Sequence, residues 1–245
     1  MLKISGLYSG GVIANYNCPS QCGHCLYNCS PRRSNDYLEP ETAKKIFIKI
    51  MQLGCRSVHI GGGEPFVQPD KLLAVVLTAR ECGMGIEYIE TNAAWHSNEE
   101  RTRGILRSLM ECGVGTLLIS ISPFHNEFIP FEKTKGLMAA CRSAGMNVFP
   151  WVMDFYSDLQ SMDEHSRHSP DEYIRKYGSD YFRRIPARYW IHFGGRAIKT
   201  FSKFVDQKPF GQIIAQSVPC SELSDVSHFH IDLYGNYIPG LCTGF

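Results

Sequence analysis

Four glycines, Gly54, Gly83, Gly113 and Gly145, stand 29, 30 and 32 residues apart. Each closes a stretch of helical periodicity and precedes a short apolar run. In the first stretch Ala43, Ile46, Phe47, Ile50 and Leu53 fall on one face, with Pro40 near its start. The third opens on Ser97-x-x-Glu100, the spacing of a capping box, and turns Ile105, Leu106 and Leu109 inward. Glycine just past a helix takes the left-handed conformation that ends it. The runs that follow, residues 57–60, 86–89, 116–121 and 147–153, are rich in β-branched and aromatic side chains, and residues 11–14 supply an earlier one. Helix and strand alternating at this period is the βαβ unit, and it predicts a parallel sheet.

Beyond residue 154 the rhythm breaks. Residues 154–189 are polar and aromatic, with one short helix expected over 171–177. A segment this long at a barrel mouth is expected to be a lid or a disordered insertion, without a core of its own. Residues 190–193 read as a sixth strand leading into Gly194-Gly-Arg196. From Ile213 onward the chain reads as a small separate unit. Its alternating strand runs over 228–234, and Gly235-Asn236 marks a hairpin turn. The expected architecture is α/β: a partial (β/α)6 parallel barrel over residues 1–205, and a small hairpin-containing extension over 206–245.

Charge changes this picture little. Twenty-five basic against 24 acidic residues leave a formal charge of +1. No global field draws the chain to nucleic acid or to an anionic membrane. No run approaches the ~20 apolar residues of a membrane span, and no secretory leader is recognised at Met1. A cytoplasmic location is expected. Ten cysteines are many for 245 residues; without secretory features they fit a reducing compartment better than a disulfide frame. Cys55, Cys82, Cys112 and Cys141, each close to a helix-ending glycine, read as small core side chains.

The remaining cysteines carry chemistry. Cys18-Pro-Ser-Gln-Cys22-Gly-His-Cys25 places three thiols within eight residues, so their sulfurs are expected to converge on one metal centre. Thiolates select iron–sulfur clusters or zinc. Three ligands on a four-iron cluster leave one iron open to a small molecule. With Cys29 as a fourth ligand, the loop instead satisfies tetrahedral zinc or a closed electron-transfer cluster by count. The second motif is Gly61-Gly-Gly-Glu-Pro65, after the second predicted strand. In the expected barrel every such cluster falls at the carboxyl end of a strand, the face where parallel α/β barrels hold their sites.

The two motifs together, CxxxCxxC and GGGEP, resemble those of the radical S-adenosylmethionine (SAM) superfamily. The resemblance implies the same partial barrel and a [4Fe–4S] cluster on Cys18, Cys22 and Cys25, with Cys29 a bystander. It implies that SAM binds the open iron and is cleaved by one electron to methionine and a 5′-deoxyadenosyl radical, which takes hydrogen from a substrate. Gly61, Gly62, Gly63 and Glu64 are expected along the SAM methionine and its amino group, with Pro65 fixing the turn. Asn92, Ser120 and Ser122 match polar residues on SAM's ribose and carboxylate, and His24 stands where relatives carry an aromatic near the adenine. Arg196 is a candidate clamp for an anionic group. No residue is assigned as catalytic. Cys220 and Cys242, with Gly235 between them, resemble the opening of a SPASM or twitch extension and mark the place of an auxiliary cluster. The implied partners are an electron donor such as ferredoxin or flavodoxin and a substrate of the peptide or protein class. A small-molecule substrate, or an iron–sulfur redox or binding protein that never cleaves SAM, stays open as an alternative.

Overall fold

The computed structural model describes residues 4–189, 191–218 and 226–240. Strand β1 (Ser9–Ile13) leads through the cysteine loop to α1 (Pro40–Gln52). Then β2 (Ser57–Gly61), α2 (Pro69–Cys82), β3 (Gly85–Thr91), α3 (Glu99–Glu111) and β4 (Thr116–Ser120) follow in alternation. A short α4 (Pro123–Asn126), α5 (Phe131–Ala144) and β5 (Asn147–Trp151) continue the series. Strands β1 to β5 lie side by side in sequence order and pair parallel, as the periodicity predicts. The glycines that set the beat all have positive φ, and Gly83 and Gly145 cap α2 and α5 in the left-handed conformation.

The main core lies between the helices and one face of this sheet. Helix α1 delivers Ala43, Ile46, Phe47 and Ile50 to it, and Val58, Ile60, Ile89 and Leu117 meet them from the strands. Each such large side chain stabilises the fold by ~1.5–3 kcal/mol on burial. Cys55 and Cys141 are buried in this core and Cys82 and Cys112 pack against it; all four are free thiols. Helix α3 starts one residue later than its expected capping box. Its cap is Asn98, whose Oδ1 accepts from Arg101 N at 3.0 Å, so Ser97 stands outside the helix.

Two larger expectations are corrected. Residues 191–193 form no strand. Their continuation docks on the cysteine loop, where Arg196 N donates to Cys25 O at 3.0 Å, and Ile191 is buried in a second core. The sixth parallel strand comes from the tail. β6 (His228–Asp232) pairs parallel with β1, and β7 (Tyr237–Pro239) returns antiparallel through the expected turn. The sheet order is β5-β4-β3-β2-β1-β6-β7, so the tail strand joins the barrel sheet across the residue 205/206 boundary.

Residues 154–189 also have a core, contrary to expectation. Helices α6 (Tyr156–Gln160), α7 (Pro170–Tyr177) and α8 (Tyr181–Arg188), with the 3-10 turn Met153–Phe155 before them, pack Phe155, Leu159, Tyr173, Phe182 and Ile185 in one cluster with Phe124. Tyr173, Tyr177 and Tyr181 gather as a triad of mutually packed rings, with centroids 6.2, 5.6 and 5.0 Å apart. Asp158 is their hub, accepting from Tyr181 Oη and Arg188 Nη1, both at 2.7 Å. What reads as a polar aromatic stretch is therefore an apolar stack with its hydroxyls satisfied. Beyond it lie α9 (Arg196–Phe201), which closes the second core with Ala197 and Phe201, and α10 (Phe210–Gln216). Among the described residues no helix is long and apolar enough to cross a membrane.

Candidate functional site

The site begins as a continuation of the sheet. After β1 and β2 the two chains stay in register: Ala14 N donates to Gly61 O, Gly63 N to Asn15 O and Glu64 N to Asn17 O, at 2.8–2.9 Å. Asn15 is fully buried and fastens the pair, its Nδ2 donating to Glu64 O and its Oδ1 accepting from Gly63 N. This approach is what requires glycine. A Cβ on Gly63 would lie 2.1 Å from Asn17 O, and one on Gly62 would lie 2.5 Å from Asn15 O. The neighbour those glycines admit is backbone. Glu64, also fully buried, accepts from Phe66 N, Thr91 Oγ1 and Asn92 N at 3.1, 2.9 and 2.7 Å, so it ties the β2 loop to the end of β3. Burial pushes its carboxyl up to about 7. Pro65 opens a buried 3-10 turn just behind.

On this ladder sits the cysteine loop. Cys18, Cys22, Cys25 and Cys29 line one cavity of about 390 Å³ at the carboxyl ends of the strands, with Gly62 and Gly63. Cys18 Sγ accepts from Ser20 N and Asn92 Nδ2, at 3.4 and 3.3 Å, and Cys25 Sγ accepts from Cys29 N at 3.4 Å. Backbone and amide donors aimed at sulfur favour thiolate. Burial pushes the Cys18 thiol up to about 12 and Cys22 well above its usual range. The Cys29 thiol hydrogen-bonds Cys25 and holds it low, and is itself raised by the same bond. Arg196 fixes the loop from outside, Nε donating to Cys22 O at 3.0 Å and Nη2 to Cys29 O at 2.5 Å. The guanidinium that reads in sequence as an anion clamp is thus engaged by loop carbonyls.

The other expected residues divide. His24 and Ser120 line the cavity, as does Asn92. His24 stacks on Phe124 at 4.7 Å, and its Nδ1 is buried without a hydrogen-bond partner. Ser20 Oγ and Tyr27 Oη, in the same cavity, are likewise unpaired. Ser122 is not among the lining residues; it caps α4 and its Oγ meets His125 Nδ1 at 2.6 Å. Gly61 sits under Glu90, whose carboxylate would lie 2.5 Å from a Cβ there. Cys220 and Cys242 lie outside the described residues.

The interior face of the strands carries further residues to which the sequence gives no assigned role in the site. His59 on β2, Glu90 on β3, and His228 and His230 on β6 line the same cavity. His59 Nε2 and His230 Nε2 are 3.1 Å apart, and Glu90 Oε1 is 3.8 Å from His59 Nε2. Burial lowers His59 to about 3 and His230 to about 4. Glu90, crowded by the barrel wall although 40 % of its side chain faces the cavity, is raised to about 7. The alternation His228-x-His230-x-Asp232 is the signal that places three polar groups on one strand face.

A parallel α/β half-barrel with a cysteine loop behind its first strand defines the class. The model of the radical SAM superfamily matches residues 12–165, and the chain belongs to that superfamily. Its members are enzymes that use a [4Fe–4S] cluster and SAM. Among solved structures, native anSMEcpe with bound AdoMet is 11% identical with a TM-score of 0.52, over 96% of this chain and 74% of that one. BtrN in complex with AdoMet and 2-DOIA is 17% identical at 0.50, over 98% and 75%. SuiB of Streptococcus suis, bound to S-adenosylmethionine, is 14% identical at 0.46, over 98% of this chain, which spans 61% of SuiB's length. At these identities the likeness is one of fold. No curated protein matches the chain in sequence.

Proposed function

We propose that this chain reductively cleaves SAM at a [4Fe–4S] cluster held by Cys18, Cys22 and Cys25 and abstracts hydrogen from a substrate bound in the same cavity. The observation that carries the reading is the meeting of the cysteine loop and the 61–64 loop on one ladder at the barrel mouth. The donor set fits a cluster. Three thiols approach from one short loop, and nitrogen donors reach Cys18 and Cys25. Among the described residues no three of the loop sulfurs lie within 4.8 Å of one another, as ligands of a single zinc ion at ~2.3 Å would. The unpaired Ser20 Oγ, His24 Nδ1 and Tyr27 Oη supply polar contacts that a ligand such as SAM requires.

When bound, the reduced cluster supplies the electron that breaks a SAM S–C bond and so yields the hydrogen-abstracting radical. The chain's own residues hold and shield. Asn92 Nδ2 and Ser20 N donate to the Cys18 sulfur, which lowers charge on the ligand and raises the potential. Glu64 fixes the loop under the SAM methionine, and His24 lies where it can stack on a flat base. Cys22 belongs to the second core and Cys25 packs against it, which excludes water from that side of the loop. The proposed reductant is a ferredoxin or flavodoxin, and the proposed substrate class is a peptide or protein. Purification without oxygen, iron analysis and chromatography of SAM products test the reading. Cys18→Ala, Cys22→Ala and Cys25→Ala should each lose iron and methionine release, whereas Cys29→Ala retains both. Equal dependence on all four thiols would leave no iron open and sink it.

A further inference from the structure

We propose that His59, His228 and His230 form a site for a divalent transition-metal ion of the zinc class, on the interior face of the barrel sheet, separate from the cysteine loop. One nitrogen from each of the three rings lies within 4.8 Å of the others. Zinc–imidazole bonds of ~2.0–2.1 Å place neighbouring nitrogens somewhat over 3 Å apart, and His59 Nε2 to His230 Nε2 is 3.1 Å.

The backbone builds this arrangement. Gly11 of β1 is the register partner of His59 on one side and of His230 on the other. The three residues therefore form a row across three parallel strands, and the side chain missing from the middle leaves space for two rings to meet. A Cβ on Gly11 would lie 2.2 Å from His59 Nε2. Ser9, opposite His228, precedes Gly11 by two residues, so the third ring sits on the same face. Tyr88 stacks flat on His59 with centroids 5.0 Å apart and limits its rotation.

Ring polarity points to a cation. His230 Nδ1 faces Gly240 O at 3.2 Å, and a carbonyl only accepts, so that nitrogen carries the proton and Nε2 presents a lone pair toward His59 Nε2. An ion between the two Nε2 atoms takes that lone pair, and the Gly240 carbonyl then acts as the outer partner that orients a metal-bound histidine. Imidazole ligands suit zinc, iron, nickel or copper over magnesium or calcium. Glu90, 3.8 Å from His59 Nε2, is placed to add an oxygen ligand or a base. Three histidines leave coordination open toward the cavity, where the ion would hold a substrate's oxygen or nitrogen donor. That role rests on the radical SAM reading; the ion site does not.

The test uses the full chain with its iron reconstituted anaerobically, titrated with zinc and examined by X-ray absorption at the zinc edge. One zinc per chain is expected, with nitrogen scatterers at ~2.0 Å showing imidazole multiple scattering. His59→Gln and His230→Gln should weaken zinc by more than the ~10–100-fold that loss of an outer partner costs. Gly11→Val should weaken it too, without removing a ligand. Iron content is read in the same samples, so loss of zinc with iron intact reports on the histidines alone. Sulfur scatterers, no zinc uptake by the parent, or uptake unchanged in all three variants overturns the site while leaving SAM cleavage untouched. Should the variants misfold, the parent spectrum alone decides.

Discussion

Replacing Arg196 by methionine isolates the fastening of the cysteine loop. The variant loses the guanidinium bonds to Cys22 O and Cys29 O, at 3.0 and 2.5 Å, while the backbone bond from residue 196 to Cys25 O survives. Hydrogen bonds from a charged donor contribute ~1.5–3 kcal/mol each. The side chain is half-buried, so the lower end applies and the pair contributes ~3 kcal/mol. That corresponds to a roughly 100-fold shift in the equilibrium between docked and released loop. The assay is the rate at which an iron chelator strips the reconstituted chain without oxygen, since stripping proceeds through the released loop. Stripping should be roughly 100-fold faster in Arg196→Met and intermediate in Arg196→Lys, which keeps the charge but not the fork. The melting temperature should move far less, because the released segment is local. An Arg196→Met variant that folds normally and loses iron at the parent rate refutes the fastening role.

Gly63→Val should cost iron as well as SAM affinity, because its Cβ meets the Asn17 carbonyl that positions the cysteine loop; a variant with full iron content and weak SAM binding would instead place the glycine at the ligand. Burial raises the Glu64 carboxyl to about 7 from its ordinary 4.5. The unfolded chain releases that proton between pH 4.5 and 7 while the folded chain keeps it, so stability should fall as pH rises through that window. Thermal melts of Glu64→Gln should show a flatter slope there, and an equal slope would reject the assignment. Asp158→Ala leaves Arg188 and Tyr181 without their shared acceptor; it should lower stability by ~2–4 kcal/mol in a denaturant titration, and a change under ~0.5 kcal/mol, the scale of ordinary surface substitutions, would count against the hub.

Much of the barrel is legible because its signals are local. Helix periodicity, a glycine cap and a β-branched run all fall within one thirty-residue unit, and parallel order then follows from the βαβ handedness rule. The cysteine loop and the 61–64 loop are legible for the same reason. What stayed hidden depends on distant pairing. No local feature of residues 228–232 says that they pair beside β1 and not as a separate hairpin, with Gly11 against His230. Tyr173, Tyr177 and Tyr181 carry an i, i+4 spacing, yet the turn at Gly178 splits them between two helices and only packing shows the triad. Arg196 reads as a free cation until its partners appear as carbonyls some 170 residues earlier.

These distant pieces explain why the site needs both cores. Residues 15–17 are set by the β1–β2 ladder, whose strands rest on the helix-side core. Cys22 belongs to the other core, together with Phe124, Ile191 and Ala197, and Cys25 packs against it. The cysteine loop therefore bridges two apolar bodies: Cys18 answers to the sheet through Asn92, and Cys22 to the segment after β5. A change in the 154–189 helices should reach the thiols before it reaches the sheet. In Phe182→Ala, which loses an edge-on contact with Phe124 at 5.5 Å, the cavity left should cost ~3–5 kcal/mol. Hydrogen exchange should then quicken in residues 18–29 while the β2 and β3 amides keep their protection. Exchange that quickens equally in both regions would show one cooperative body, and the bridge would have no separate meaning.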